Sequence, residues 1–167
     1  MAKYARVLLV ISVGLGVQAC LVSTEPPPFA EVTQAGWSFG LCDGPCRGEL
    51  DVSSPSLSYR MSDFLGDQVF LENQGTLTES GENRLASLIA AIPGGLSDRY
   101  GCPDCADGGA ASLTLSGSDE MVHNVTYEYF RPPPELVDLH DFLYSVMDAL
   151  TTCSEHPNVS PSQECQP

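Results

Sequence analysis

Lysine is almost missing from this chain. Of 167 residues only Lys3 carries an ammonium group, and seven basic residues in all face 22 acidic ones. The absence removes whole classes of chemistry. Beyond residue 3 there is no amine for a Schiff base or a general base, and no G-x-x-x-x-G-K loop to cradle phosphates. Clustered cations that would neutralise a phosphate backbone are missing too, so nucleic acid is excluded as a partner, and surface binding to anionic headgroups is disfavoured. H-E-x-x-H does not occur, which leaves no metalloprotease helix. G-x-S-x-G occurs once, as Gly36-Trp37-Ser38-Phe39-Gly40, but a glycine- and cysteine-rich turn follows it where a nucleophile elbow needs a helix. His123, His140 and His156 fall in a strand-like run, a helical run and a tail, where each reads as a satisfied or solvated histidine rather than a general base. No internal repeat is visible.

Long apolar runs are missing as well. The run of apolar and small residues near the start, residues 7–17, carries no charge, follows Lys3 and Arg6 and precedes the small Ala19. A spanning helix needs about 20 apolar residues, so the layout is that of an export signal over residues 1–19. Val17-Gln18-Ala19-Cys20 resembles the lipobox of bacterial lipoproteins. That resemblance implies that Cys20 is acylated, palmitate included, and becomes the new N-terminus. With Leu21 rather than Asp next to it, the resemblance also implies sorting to the outer membrane. The same residues fit ordinary signal cleavage, which would yield a secreted chain.

Cysteine arithmetic favours the lipid. There are seven cysteines, and an odd thiol is a liability in an oxidising compartment; with Cys20 acylated, six remain. Several acyl chains anchor durably, at about 0.8 kcal/mol per buried methylene. Residues 20–35, proline-rich at their centre, read as a flexible tether, residues 36–153 as one domain and residues 154–167 as a proline-rich tail. Without the leader, five arginines face 22 acidic residues, a net charge of −17 with histidine neutral. This acidity reads first as a solvated surface and second as a match for a cationic or metal-rich partner.

Hydrophobic periodicity predicts an α+β domain: an antiparallel sheet of short strands with two helices packed on one face, stapled by cysteines. Leu50 and Val52 alternate with acidic neighbours, and Leu57, Tyr59 and Met61 form a second run after the turn at residues 53–56. Residues 69–78 are expected to form a hairpin turning at Asn73 to Gly75. Leu85, Leu88, Ile89 and Ile92 are spaced for a helix capped by Ser80 and ended by Pro93-Gly94-Gly95. Leu113 and Leu115, then Met121, His123, Val125, Tyr127 and Tyr129, mark two strands joined at residues 117–120. Pro134 opens the clearest helix, in which Leu136, Leu139, Leu143, Val146 and Leu150 recur every three or four residues, with Phe142 and Met147 beside them. Its polar face is acidic, which opposes a membrane-lying role.

The remaining cysteines form three clusters: Cys42/Cys46, Cys102/Cys105 and Cys153/Cys165. As disulfides they allow 15 connectivities. Loop entropy favours crossing between clusters, while the glycines and prolines of the two motifs favour tight rings within each. A four-thiolate zinc site at Cys42, Cys46, Cys102 and Cys105 is the sharper alternative, against a long spacing between pairs and an oxidising compartment. Calcium at Asp43, Asp104 and Asp107 lacks the expected loop pattern. Redox chemistry at Cys102-Pro-Asp-Cys105 is opposed by the flanking aspartates, which raise a thiol pKa; Arg99 is the nearby cation in the sequence.

"FGLCDGPCRGELDV" and "YGCPDCADGGAASLTLSG", followed by a leucine-rich helix, resemble a group of small bacterial lipoproteins over roughly residues 36–150. The resemblance implies an exported, lipid-anchored domain and carries no particular activity with it. The expectation is a cell-envelope module that binds or supports an envelope protein partner, without cofactor, metal or catalytic residues. Trp37, Phe39 and Leu41 are candidates for a contact surface. A thiol-disulfide oxidoreductase using Cys102 and Cys105 is the alternative, with a structural metal protein behind it.

Overall fold

In a computed structural model, residues 27–40, 42–117 and 121–167 are described. The residues expected to form the export signal, Cys20, residues 21–26 of the expected tether, Leu41 and residues 118–120 of the expected turn lie outside them. Eight strands form one sheet: β1 (Glu31–Ser38), β2 (Arg47–Ser53), β3 (Ser56–Ser62), β4 (Val69–Leu77), β5 (Arg99–Tyr100), β6 (Ala110–Ser116), β7 (Val122–Glu128) and β8 (Val159–Pro161). Helix α1 (Glu79–Ala90) follows β4, and α2 (Val137–Thr152) follows β7 after a 3-10 turn at Pro134–Leu136. The spatial order is β5-β7-β6-β1-β2-β3-β4-β8, antiparallel throughout except for the parallel β5–β7 pair.

Alternation explains the strands. Leu50 lies opposite Tyr59, Val52 opposite Leu57, and Leu113 opposite Val125. Ala35 on β1 is partnered by Leu50 on one side and Leu113 on the other. Because side chains change face at every residue, these registers put all of them on one face, and all are buried. Each large side chain removed from water there contributes roughly 1.5–3 kcal/mol. From α1, Leu85, Leu88 and Ile89 join the same buried cluster, and from α2 so do Leu139, Phe142, Leu143, Val146, Met147 and Leu150. The α+β class holds. Among the described residues no helix is long and apolar enough to cross a membrane.

Four local expectations are corrected. Residues 69–77 form one continuous strand rather than a hairpin. Asn73 and Gly75 look like turn residues, but they answer tertiary demands. The buried Asn73 amide donates to the Leu150 carbonyl at 2.8 Å, and a Cβ on Gly75 would stand 2.8 Å from Leu150 Cδ2 and 2.9 Å from the Ser160 carbonyl oxygen. The cap of α1 is Thr78, not Ser80: its hydroxyl accepts from the Gly81 N–H at 3.1 Å, while Ser80 bonds Asn158.

Strand β1 begins at Glu31, inside the stretch read as tether, and Phe29, Val32 and Ala35 are buried. Small and medium apolar residues suffice there because β1 is flanked by strands on both sides. The tail likewise supplies β8, paired to Gly75–Leu77. Its Pro161 is tolerated because β8 is an edge strand, where a missing N–H breaks no ladder.

Candidate functional site at the Cys102–Cys105 loop

All six described cysteines pair within their clusters: Cys42–Cys46, Cys102–Cys105 and Cys153–Cys165, with Cα atoms 5.7, 5.5 and 5.7 Å apart. The four thiolates that a tetrahedral zinc takes are therefore committed to one another. Among the described residues no group of three or more His, Cys, Asp or Glu side chains is arranged to hold a metal ion.

The three staples differ in setting. Cys46 is buried under the start of β2, Cys153 and Cys165 are half-buried, and Cys102 and Cys105 are both exposed. The Cys102–Cys105 loop leaves β5 and turns back into β6 through a tight backbone knot. Asp104 N–H donates to the Gly109 carbonyl at 3.0 Å, Cys105 N–H to Cys102 at 3.1 Å and Gly108 N–H to Cys105 at 3.0 Å. Arg99 donates to the Pro103 carbonyl at 3.3 Å.

Such a knot demands unusual backbone. Asp104 (φ 65°) and Ala106 (φ 52°) are left-handed although neither is glycine, and Gly101 and Gly109 are left-handed beside them. Two residues past the end of β7, Phe130 has φ 54°. For a bulky residue this is a true outlier, of the kind that costs about 1–3 kcal/mol and persists where the surroundings over-determine it. Of the four non-glycine residues with positive φ among the described residues, three thus gather at this end; the fourth, Cys153, ends α2.

A cleft of about 350 Å³ opens between the loop and the end of β7, lined by Cys102, Cys105, Gly109, Glu128, Tyr129 and Arg131 among others. Glu128 organises it. Its carboxylate accepts from Cys102 N–H at 2.9 Å and from Arg131 at 3.2 Å. The Cys102 N–H above all, and then Arg131, hold its pKa below the ordinary glutamate value, so it is ionised at neutral pH. A fixed negative charge against Cys102 opposes formation of a thiolate there.

Behind the cleft stands an aromatic wall. Phe39 and Tyr129 meet edge-on at 4.7 Å, with Trp37 5.7 Å from Phe39. Trp37 Nε1 donates to the Tyr59 hydroxyl at 3.1 Å. Phe130 is 64% exposed; its ring centre lies 4.0 Å from that of Tyr129 and 5.7 Å from that of Tyr144. Offset and edge contacts of this kind add about 0.5–1.5 kcal/mol each beyond burial. His140 is buried beneath, with Nδ1 2.8 Å from the Tyr127 hydroxyl. Burial lowers its pKa, against an opposing pull from Asp141, and burial raises those of Tyr127 and Tyr144. A neutral His140 accepting from Tyr127 has both groups satisfied.

Of the residues singled out from the sequence, Trp37 and Phe39 do lie side by side, half-buried, against Tyr129 and Gly109. Leu41 is outside the described residues. Asp43 and Asp104 are exposed loop residues. His123 stands 3.6 Å from Asp98, and His156 lies in the tail at the turn into β8. Sequence reasoning missed Glu128, Phe130 and Arg131. The available signal was the aromatic pair Tyr129-Phe130 immediately before Arg131 and three prolines, a place where a strand must end abruptly. Compared with known protein families, curated proteins and solved structures, the chain matches none of them.

Proposed function

We propose that this protein is a lipid-anchored component of the bacterial cell envelope, on the outer membrane, which acts as a binding or structural module and not through catalysis. It belongs in this reading with the small lipoproteins that share its paired cysteine motifs. Cys20 carries the lipid, and the domain stands off the membrane on the segment before β1. Both helices lie over the sheet face that carries Leu50, Tyr59 and Leu113, in keeping with the contacts of α2 with β3, β4 and β8 and of α1 with β1 and β4. That leaves the Cys102–Cys105 end free for a partner.

One observation carries the reading. An exposed Phe130 on a left-handed backbone, backed by Tyr129 and Tyr144, sits between Tyr129 and Arg131, which line a cleft whose other wall is closed by a disulfide. Rigid aromatic surfaces of this kind suit recognition, because little conformational entropy is lost on contact. Crosslinking in the intact envelope tests it. Wild type should retain a discrete partner, and Phe130→Ala should reduce that retention several-fold with an unchanged denaturation midpoint. Equal retention by both would overturn the binding site. The intact mass of protein purified from its own membrane tests the anchor: an acyl increment on Cys20 is expected, and a chain beginning at an unmodified Cys20 would overturn it.

A second reading is favoured by one feature: Cys102 and Cys105 both border the cleft and are both exposed. A thiol-disulfide oxidoreductase would reduce insulin in the presence of dithiothreitol and lose that turnover in Cys102→Ser. Absence of turnover by wild type would end this reading.

A further inference from the structure

At the opposite edge of the sheet from the Cys102–Cys105 cleft, β4 is only half covered. Strand β8 pairs with Gly75, Thr76 and Leu77, and among the described residues no strand continues that pairing along Val69–Asn73. The inner edge of β4 pairs with β3 from Val69 to Thr76, with a bulge that leaves Phe70 between Val69 and Leu71 without a partner in the register. An extended strand with one edge open is a template for another strand. Ser162 N–H donates to the Gln74 carbonyl at 2.8 Å across this edge. By the two-residue period of a strand, the backbone groups of Glu72 point the same way.

The open stretch is one wall of a groove of about 550 Å³, formed by Phe70, Leu71, Glu72 and Asn73 facing Glu164 and Gln166. The far wall is fixed. Cys165 is bonded to Cys153 at the end of α2, and the Gln166 backbone is held twice by Asn73: Gln166 N–H donates to Asn73 Oδ1 at 3.1 Å, and Asn73 Nδ2 donates to the Gln166 carbonyl at 2.9 Å. The groove is therefore closed at Asn73 and open toward Val69.

Its chemistry is mixed in a specific way. Val69 and Phe70 are 43% and 42% exposed, and the loop before them exposes Phe64 (53%) and Leu65 (75%). Natural sheet edges are blunted by lysine, proline or a bulge, among other devices; residues 63–73 contain neither lysine nor proline, and the bulge is confined to the Val69–Leu71 end. Glu72 and Glu164 have no ion-pair partner, since the ion pairs among the described residues are Arg47–Glu49, His123–Asp98 and Arg131–Glu128. Arg60, opposite Glu72 in the register, donates instead to the Gly66 carbonyl at 3.1 Å.

We propose that the open edge of β4 binds an extended, cationic segment of another protein as an added strand. Main-chain hydrogen bonds along Val69–Asn73 supply the affinity. An apolar side chain over Phe70 and a lysine or arginine over Glu72, two positions apart, supply the choice. A second copy of this chain is a poor occupant, because it would bring Glu72 against Glu72 in a chain with 22 acidic and seven basic residues. This surface does not rest on the Cys102–Cys105 reading.

Fluorescence anisotropy of the full protein in detergent, disulfides intact, tests this with an eight-residue peptide alternating valine and lysine. The lysine peptide should bind about tenfold more tightly than the same peptide with glutamate, and Glu72→Lys should remove most of that difference. Methylating alternate amides of the lysine peptide should weaken it about tenfold, because one edge of its ladder is lost. Equal binding of the methylated peptide would overturn strand addition and leave only charge attraction. An unchanged affinity in Glu72→Lys would overturn the site. A dimer in solution that Phe70→Lys converts to monomer would also overturn the proposal, because the edge would then be occupied by a second copy.

Discussion

The Cys102–Cys105 loop and the Cys153–Cys165 tail are both closed by disulfides between neighbours in sequence, but they use the bond for different ends. The first ring spans four residues, is exposed, and stiffens a knot of left-handed backbone that faces a cleft. The second ties the tail to the last turn of α2, where Asn73 links β4 to the Leu150 carbonyl and to Gln166. One staple shapes a local surface. The other holds the tail against the end of α2, where both meet the distant β4 through Asn73, and so stabilises the fold's edge. Ring size, together with the contacts that each bond holds in place, sets what each staple is worth.

Double variants test that contrast most directly. In the chain-entropy model a ring of about 13 residues contributes about 3 kcal/mol and a ring of four about 2 kcal/mol. Cys153→Ser/Cys165→Ser should therefore lose about 3 kcal/mol or more in guanidinium denaturation, and Cys102→Ser/Cys105→Ser about 2 kcal/mol. Equal losses would break the comparison.

Glycines sharpen it at the next level. In Gly75→Ala the new Cβ meets Leu150 and the Ser160 backbone, and overpacking there should cost about 2–3 kcal/mol. In Gly101→Ala the obstacle is the Glu128 side chain, which can move, so the left-handed backbone dominates at about 1–2 kcal/mol. Thermal denaturation of the two variants should rank them in that order. Asn73→Ala leaves the Leu150 carbonyl and the Gln166 N–H without their partner and should cost about 1–3 kcal/mol by the same measurement.

Acid should act on the Cys102–Cys105 end, with a smaller effect. The pKa of folded Glu128 is lowered, so its stabilising contribution is full above the ordinary glutamate range and is lost as pH falls through the lowered value. The pKa of folded His140 is lowered by burial. Below about 6.5 the unfolded chain takes up that proton first, so stability falls until pH passes the lowered value, and nothing changes above. Urea midpoints between pH 8 and 3 should decline, with His140→Gln flattening the upper part of the curve and Glu128→Gln the lower. A midpoint in wild type independent of pH would contradict both signs.

Much of the fold was legible where packing repeats locally. Alternation around Leu50, Leu57 and Leu113, and the three-to-four spacing from Leu136 to Leu150, follow from backbone geometry that any buried strand or helix must obey. The strand at residues 69–77 was not legible, because Asn73 and Gly75 are chosen by Leu150, Ser160 and Gln166, residues 75 or more positions away. The candidate site was half legible. Cys102 and Cys105 announce a loop, but Glu128 and Phe130 join them only because β7 lies beside β5 and β6.

By itself the sequence determined the α+β class, the acidity, the exclusion of lysine chemistry, and the six cysteines as three neighbouring clusters, since composition and period act without a partner. Only the tertiary structure decided that each cluster closes on itself, that the tail becomes an edge strand, and that Glu128 and Tyr129 share a cleft with a disulfide. Those features depend on segments distant in the chain meeting at one register, and a sheet fixes its register through the burial of one whole face.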